Sequence, residues 1–186
     1  MAAINTSALA IIFCALLASS VIDLKRRIIP DELVILVAVC GLCACLATRS
    51  SEVGLSLLIG AGVFFALALC HRCNWLGGGD VKLISALSLV VPAHQVGTLM
   101  VEISVAGAIL CCVYLTAGFA LRTFRTKPAG ETPLSTQGPF SGWVHLESER
   151  IMAGRSVPYA LAILGGFAYH AFTEFAPCSH AIFCSF

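Results

Sequence analysis

Charge is scarce in this sequence. Only 11% of its 186 residues are Asp, Glu, Lys or Arg, against about a quarter in an ordinary soluble domain. Apolar residues make up 59% and mean hydropathy is +0.94, so a separate soluble domain is excluded. No basic face carries stacking aromatics, which argues against a nucleic-acid partner. No positive charge precedes the first apolar run, Ala8 to Ile22, where a cleavable secretion signal would carry one; Lys25, Arg26 and Arg27 follow it instead. That order reads as a retained span with its N-terminus outside. There is no internal repeat of the kind transporters carry. No second CxxC shares a compartment with Cys70-His71-Arg72-Cys73, so four tetrahedral zinc ligands are lacking and neither metal nor cofactor is expected.

What is present is a succession of apolar runs. A bilayer core of roughly 30 Å takes about 20 apolar residues per helix, and runs near residues 4–22, 33–48, 54–71, 82–98, 99–121 and 156–173 predict an all-α, polytopic membrane protein of about six transmembrane helices, a single integral membrane domain over 1–186. Six spans place ten of the eleven basic residues on the cytoplasmic side and leave only Arg49 outside, as the positive-inside rule requires. Fusing the fourth and fifth spans across Pro92, His94 and Gln95 would spoil that bias. Both termini are therefore expected outside, and residues 122–155 in a cytoplasmic loop.

The second half of that loop alternates Phe140, Trp143, Val144, Leu146 and Ile151 with Glu147, Glu149 and Arg150, which suits either a helix on the membrane surface or a solvated linker with a few anchors. Gly54, Gly60, Gly62, Gly107, Gly118, Gly165 and Gly166 are expected to let helices pack closely. Cys14, Cys45, Cys111 and Cys112 read as small apolar fillers. Cys178 and Cys184 either pair in an oxidising compartment or stay free. The five histidines show no motif and are expected at solvent or interface.

Two acids touch the ends of apolar runs. Asp23 closes the first, and Asp80 follows the cluster Gly77-Gly78-Gly79 and precedes Lys82. Desolvating a carboxylate costs several kcal/mol, which makes an acid at a membrane edge a candidate for function. In the six-span topology both acids lie at cytoplasmic helix ends, where packing can join them. Two carboxylates at one site hold a single proton between them, and such a dyad can activate water against a peptide carbonyl. The plain alternatives are a pairing of Asp23 with its basic neighbours and an N-cap role for Asp80. Glycines before the second acid would let a substrate strand approach the backbone.

Asp23-Leu24-Lys25-Arg26-Arg27-Ile28-Ile29-Pro30-Asp31, followed by Leu33, and Gly77-Gly78-Gly79-Asp80-Val81-Lys82-Leu83 closely resemble the two active-site motifs of the type IV prepilin leader peptidases, polytopic aspartyl proteases of the GxGD class. Arg155-Ser156-Val157-Pro158-Tyr159-Ala160 is similar to the Pro-Tyr segment these enzymes carry at their last span. The resemblance covers nearly the whole chain in order. It implies that Asp23 and Asp80 are the catalytic pair, that Gly77, Gly78, Gly79, Lys82 and Pro30 support the motifs, and that no cofactor is needed. The implied substrate is a prepilin or pseudopilin precursor with a basic leader, cut at the cytoplasmic face of the bacterial inner membrane. Larger members add an N-terminal segment with paired CxxC motifs, and some methylate the new N-terminus. Here the first span starts almost at Met1, so methylation is not expected, and the size resembles the short peptidases of Flp/Tad-type systems. Two other readings stay open: a small transporter or ion pathway that uses the two acids as a proton relay, and an assembly subunit of a pilus machine whose acids are merely caps. The substrate, the cut site and the oligomeric state are not encoded in any of these motifs.

Overall fold

The computed structural model describes residues 6–124 and 157–175, and among these the regular structure is helical, with no strand. The chain divides into two compact units, residues 1–107 with 158–186, and residues 108–157. The loop expected over 122–155 falls almost wholly outside the described residues, as do Cys178 and Cys184.

The first unit is built from α1 (Thr6–Arg26), α2 (Asp31–Thr48), α3 (Val53–Arg72), α4 (Gly78–Leu87), the start of α5 (Val96–Phe124) and α6 (Tyr159–Phe175). Helix α1 ends at Arg26 because Arg27 turns to φ 57°, a left-handed residue whose N–H still reaches the Asp23 carbonyl at 2.8 Å. Three residues later Pro30, extended at φ −64° and ψ 132°, opens α2. Asp31 and Glu32 then occupy the first turn of α2, where the helix dipole favours negative charge.

Helix α1 packs against α2 and α6, while α4 lies between α2 and α3. The core these helices enclose is apolar: Ile12, Leu16, Val37, Leu83, Leu99 and Phe167 are at most 1% exposed. The outward faces are apolar too. On α3, Leu58, Phe65 and Leu69 are 70%, 68% and 66% exposed, a face that water would not tolerate and lipid does. The chain is a membrane protein.

Four described segments are long and apolar enough to cross a bilayer: Ser7–Arg26, Asp31–Thr48, Ser50–Arg72 and Ala93–Ala120. Six are not reached on these grounds. Within the run expected as a span over 82–98, the α-helix is α4, whose 10 residues extend about 15 Å. Beyond Leu87 the backbone tightens, with Leu89 and Val90 N–H groups bonding to the carbonyls of Ala86 and Leu87, and Pro92 then holds the chain extended before α5. Arg49 Nη2 donates to the Val90 carbonyl at 2.9 Å and holds this tail. Residues Val81 and Leu83 to Leu87 are buried, and because Lys82 bonds to Asp31 at the start of α2 while Arg49 at its end bonds to Val90, residues 82–90 run from one end of α2 to the other. Helix α6, with 17 residues, stands where the last span was expected.

The glycines divide into two groups. A Cβ on Gly166 would come within 2.6 Å of Ile103 Cα, and one on Gly60 within 2.8 Å of Leu89, so Gly166 is a contact point between helices and Gly60 one between α3 and the turn after α4, and Gly107 likewise lies against the Tyr159 ring. Gly54 and Gly62 have no neighbour within 4 Å among the described residues, contrary to expectation, because they face outward. Of the four cysteines expected as fillers, only Cys45 is buried, whereas Cys14, Cys111 and Cys112 are exposed. In the second unit, Thr116 Oγ1 donates to the Cys112 carbonyl at 2.9 Å.

Candidate functional site

The turn between α3 and α4 brings three consecutive glycines to the start of a helix. Gly77, at φ −69° and ψ 141°, is the N-cap of α4, which makes Asp80 the third helical residue. From that position a short acid can reach back to the N-cap, and the Gly77 N–H donates to the Asp80 carboxylate.

Each glycine of the triplet makes room for a different neighbour. A Cβ on Gly77 would lie 2.6 Å from Asp80 Oδ2, so the carboxylate itself occupies the space. A Cβ on Gly78 would meet the His71 ring at 3.4 Å, and one on Gly79 would press on Ile29 Cβ at 3.0 Å. The triplet thus folds α4 back onto its own acid, onto the end of α3 and onto the link between α1 and α2.

Asp23 comes from the last turns of α1. It is only 7% exposed, and its Oδ2 accepts the backbone N–H of Ala160, the second residue of α6, at 3.2 Å. One turn deeper, Ser20 Oγ donates to the Ala160 carbonyl at 3.0 Å, so α1 grips both polar ends of that residue.

The two acids open on one cavity of about 720 Å³. All seven residues expected from the sequence line it: Asp23, Pro30, Gly77, Gly78, Gly79, Asp80 and Lys82. Lys82 Nζ also pairs with Asp31 Oδ1 at 2.8 Å across the cavity rim, tying α4 to α2. Both partners are about half exposed or more, so the pair contributes at most about 1 kcal/mol to stability.

Asp80 lies outside the four apolar segments, and its carboxyl is pushed up to about 7. Burial is the main cause, the Asp23 charge adds to it, and the Gly77 N–H works in the opposite direction. This carboxyl therefore keeps its proton to a far higher pH than an exposed carboxyl does.

One histidine keeps to the exposed position expected of it, and one departs. His71 lines the cavity, with Nδ1 on the Leu76 carbonyl at 2.8 Å. His170 is 2% exposed, deep between helices, and its Nδ1 meets Glu102 Oε2 at 2.8 Å; one turn further along α6, Glu174 accepts from Gln95 Nε2 at 2.8 Å. Neither histidine sits in a motif, and no spacing in the sequence pointed to either partner. For Glu102, an acid alone within a long apolar run was the signal available.

The sequence profile of the type IV leader peptidase family matches residues 10–115. That stretch contains Asp23, Asp80 and every cavity-lining residue from the links before α2 and α4. No curated protein and no solved structure matches the chain. With more than half of its length matched, the chain belongs to the type IV leader peptidase family.

Proposed function

We propose that this member of the type IV leader peptidase family is an intramembrane aspartic endopeptidase in which Asp23 and Asp80 form the catalytic dyad. The observation that carries the reading is the meeting of the two acids on one cavity, where the charge of Asp23 raises the Asp80 carboxyl. One proton shared between two carboxylates is the starting state for peptide hydrolysis by such a pair. With the proton on Asp80, the ionised Asp23 takes a proton from water as its oxygen bonds to the scissile carbonyl carbon, and Asp80 gives its proton to the carbonyl oxygen. Collapse of the tetrahedral intermediate breaks the C–N bond: the proton taken up by Asp23 passes to the leaving nitrogen, and one hydroxyl of the intermediate returns its proton to Asp80 as the product carboxyl forms. The Ala160 N–H fixes the Asp23 oxygen it touches.

The substrate is a prepilin or pseudopilin precursor with a short basic leader, cut just before its apolar helix. The acidic side chains on the rim, Asp31 and Glu32, suit a basic leader. The protein sits in the bacterial inner membrane with both termini outside, an orientation supported by the bias of its basic residues, and the cavity then opens to the cytoplasm. Gly77, Gly78, Gly79, Lys82 and Pro30 shape the site rather than react.

A proton relay through the two acids is the competing reading. It would need polar groups across the bundle, and the buried His170–Glu102 pair is one. Between Tyr159 and Tyr169, however, α6 carries only Ala, Leu, Ile, Gly and Phe, which leaves no stepping stone on that helix between the pair and Asp23.

Co-expression of the full chain with a pilin-like precursor, followed by mass spectrometry of the precursor's N-terminus, tests the proposal. Asp23→Asn and Asp80→Asn are each expected to abolish cleavage, a loss of at least about 10³-fold, with normal membrane insertion. Full processing by either variant sinks the dyad.

A further inference from the structure

The peptide unit between Leu76 and Gly77 is held at both of its polar ends. Its carbonyl oxygen accepts from His71 Nδ1 at 2.8 Å, and the Asp80 carboxylate folds back against Gly77, its Oδ2 2.6 Å from where a Gly77 Cβ would stand, within reach of the Gly77 N–H. A carbonyl can only accept, so Nδ1 carries the hydrogen, and neutral His71 is the Nδ1–H tautomer with a bare Nε2. The ring stands at the end of α3 and lies 3.4 Å from the Cβ position of Gly78.

We propose that His71 tunes Asp80 through this peptide: it is a positioning residue that polarises the Leu76–Gly77 unit and so strengthens the hydrogen bond Gly77 gives to the Asp80 carboxylate. Hydrogen bonds in series reinforce one another, because drawing electron density to the carbonyl oxygen makes the N–H of the same amide more acidic. A stronger donor stabilises the carboxylate and opposes the burial that holds Asp80 protonated. The other charged or titratable groups around Asp80 are Asp23 and Arg27 at the end of α1, Asp31 and Glu32 on α2, Lys82 on α4 and Tyr159 on α6. Those act on Asp80 through space, whereas His71 acts through a donor that touches the carboxylate. The effect on cleavage rests on the dyad reading, but the coupling concerns the titration of Asp80 whatever that residue does.

The test is a titration of the detergent-solubilised full chain with ¹³C-labelled aspartate carboxyls, in which the Asp80 signal is assigned by its loss in Asp80→Asn. His71→Phe, which removes the donor and keeps a ring, is expected to raise the Asp80 midpoint by roughly half a unit, about threefold in proton affinity. His71→Asn, whose amide Nδ2–H stands where Nδ1–H does, should stay at the wild-type midpoint. An unmoved midpoint in His71→Phe, or an equal rise in both variants, overturns the proposal. Imidazole ¹⁵N spectra of the wild type supply a check that needs no variant: Nδ1–H is expected for neutral His71, and an Nε2–H tautomer would refute the bond on which the coupling depends. In the cleavage assay the alkaline limb of the pH profile should move up with the midpoint in His71→Phe, whereas a merely structural role would lower cleavage equally at every pH. A shifted titration in a protein that cleaves no precursor would leave the coupling standing and remove the peptidase reading.

Discussion

The backbone N–H of Ala160 donates to the carboxylate of Asp23 at 3.2 Å, joining residues 137 positions apart. Ala160 lies in the first turn of α6, where a helix has N–H groups to spare. The bond therefore takes nothing from the helix. It places the start of α6 against the end of α1, and it makes the orientation of one acid depend on a segment far from either acidic motif.

Ala160→Pro removes that donor at a position where a helix accepts proline. A hydrogen bond to a charged group contributes about 1.5–3 kcal/mol, so precursor cleavage is expected to fall roughly 10- to 100-fold, with the loss in kcat. Steady-state kinetics on purified protein checks this, and an unchanged kcat would show that the orientation of Asp23 is set elsewhere.

Asp80 makes stability and activity depend on pH in the same direction. Its carboxyl is about 7 in the folded protein against 3.8 unperturbed, so between those values the folded state binds more protons than the unfolded state. Stability is then present below about pH 4 and is lost as pH rises towards 7, by on the order of 3 kcal/mol from this group. Thermal unfolding of Asp80→Asn should show a flatter pH dependence across this window. Cleavage by the wild type should decline above pH 7, where Asp80 loses the proton it donates.

Close approach at Gly166 predicts a sharp contrast between glycines. Gly166→Ala forces a Cβ to within 2.6 Å of Ile103 Cα and 2.7 Å of its backbone nitrogen, neither of which can yield without moving α5. A destabilisation of about 1–3 kcal/mol is expected. Gly62→Ala meets nothing within 4 Å and should be neutral or stabilising by up to about 1 kcal/mol, through helix propensity. Unfolding midpoints in one detergent compare the two.

The buried pair of His170 and Glu102 predicts non-additivity. His170→Phe alone strands a carboxyl that is 13% exposed and should cost about 3–5 kcal/mol. The double variant His170→Phe with Glu102→Leu removes both polar groups and should recover most of that loss. A double-mutant cycle measures the difference, and simple additivity would show that the two side chains are not coupled.

Local composition is enough to read the helices and the two acidic motifs, because apolar length and the residues at helix ends are properties of short stretches. The runs before Arg26, Thr48 and Arg72 became helices close to their expected bounds, and Asp23, Pro30, the glycine triplet, Asp80 and Lys82 all came to one cavity. The run after Gly77 is α-helical only in part: α4 stops at Leu87, where the chain tightens and Pro92 follows.

Sequence by itself therefore determined that this is a helical membrane protein carrying two acids in characteristic settings, since the cost of burying charge and the length of apolar runs are written residue by residue. Only the tertiary structure decided what surrounds those acids. The Ala160 N–H on Asp23, the Lys82–Asp31 tie, the His71 ring over Gly78 and the Glu102–His170 pair each join residues from different helices. Such contacts depend on where helices cross, which is settled by the packing of whole faces such as Gly166 against Ile103, and no short stretch of sequence contains that information.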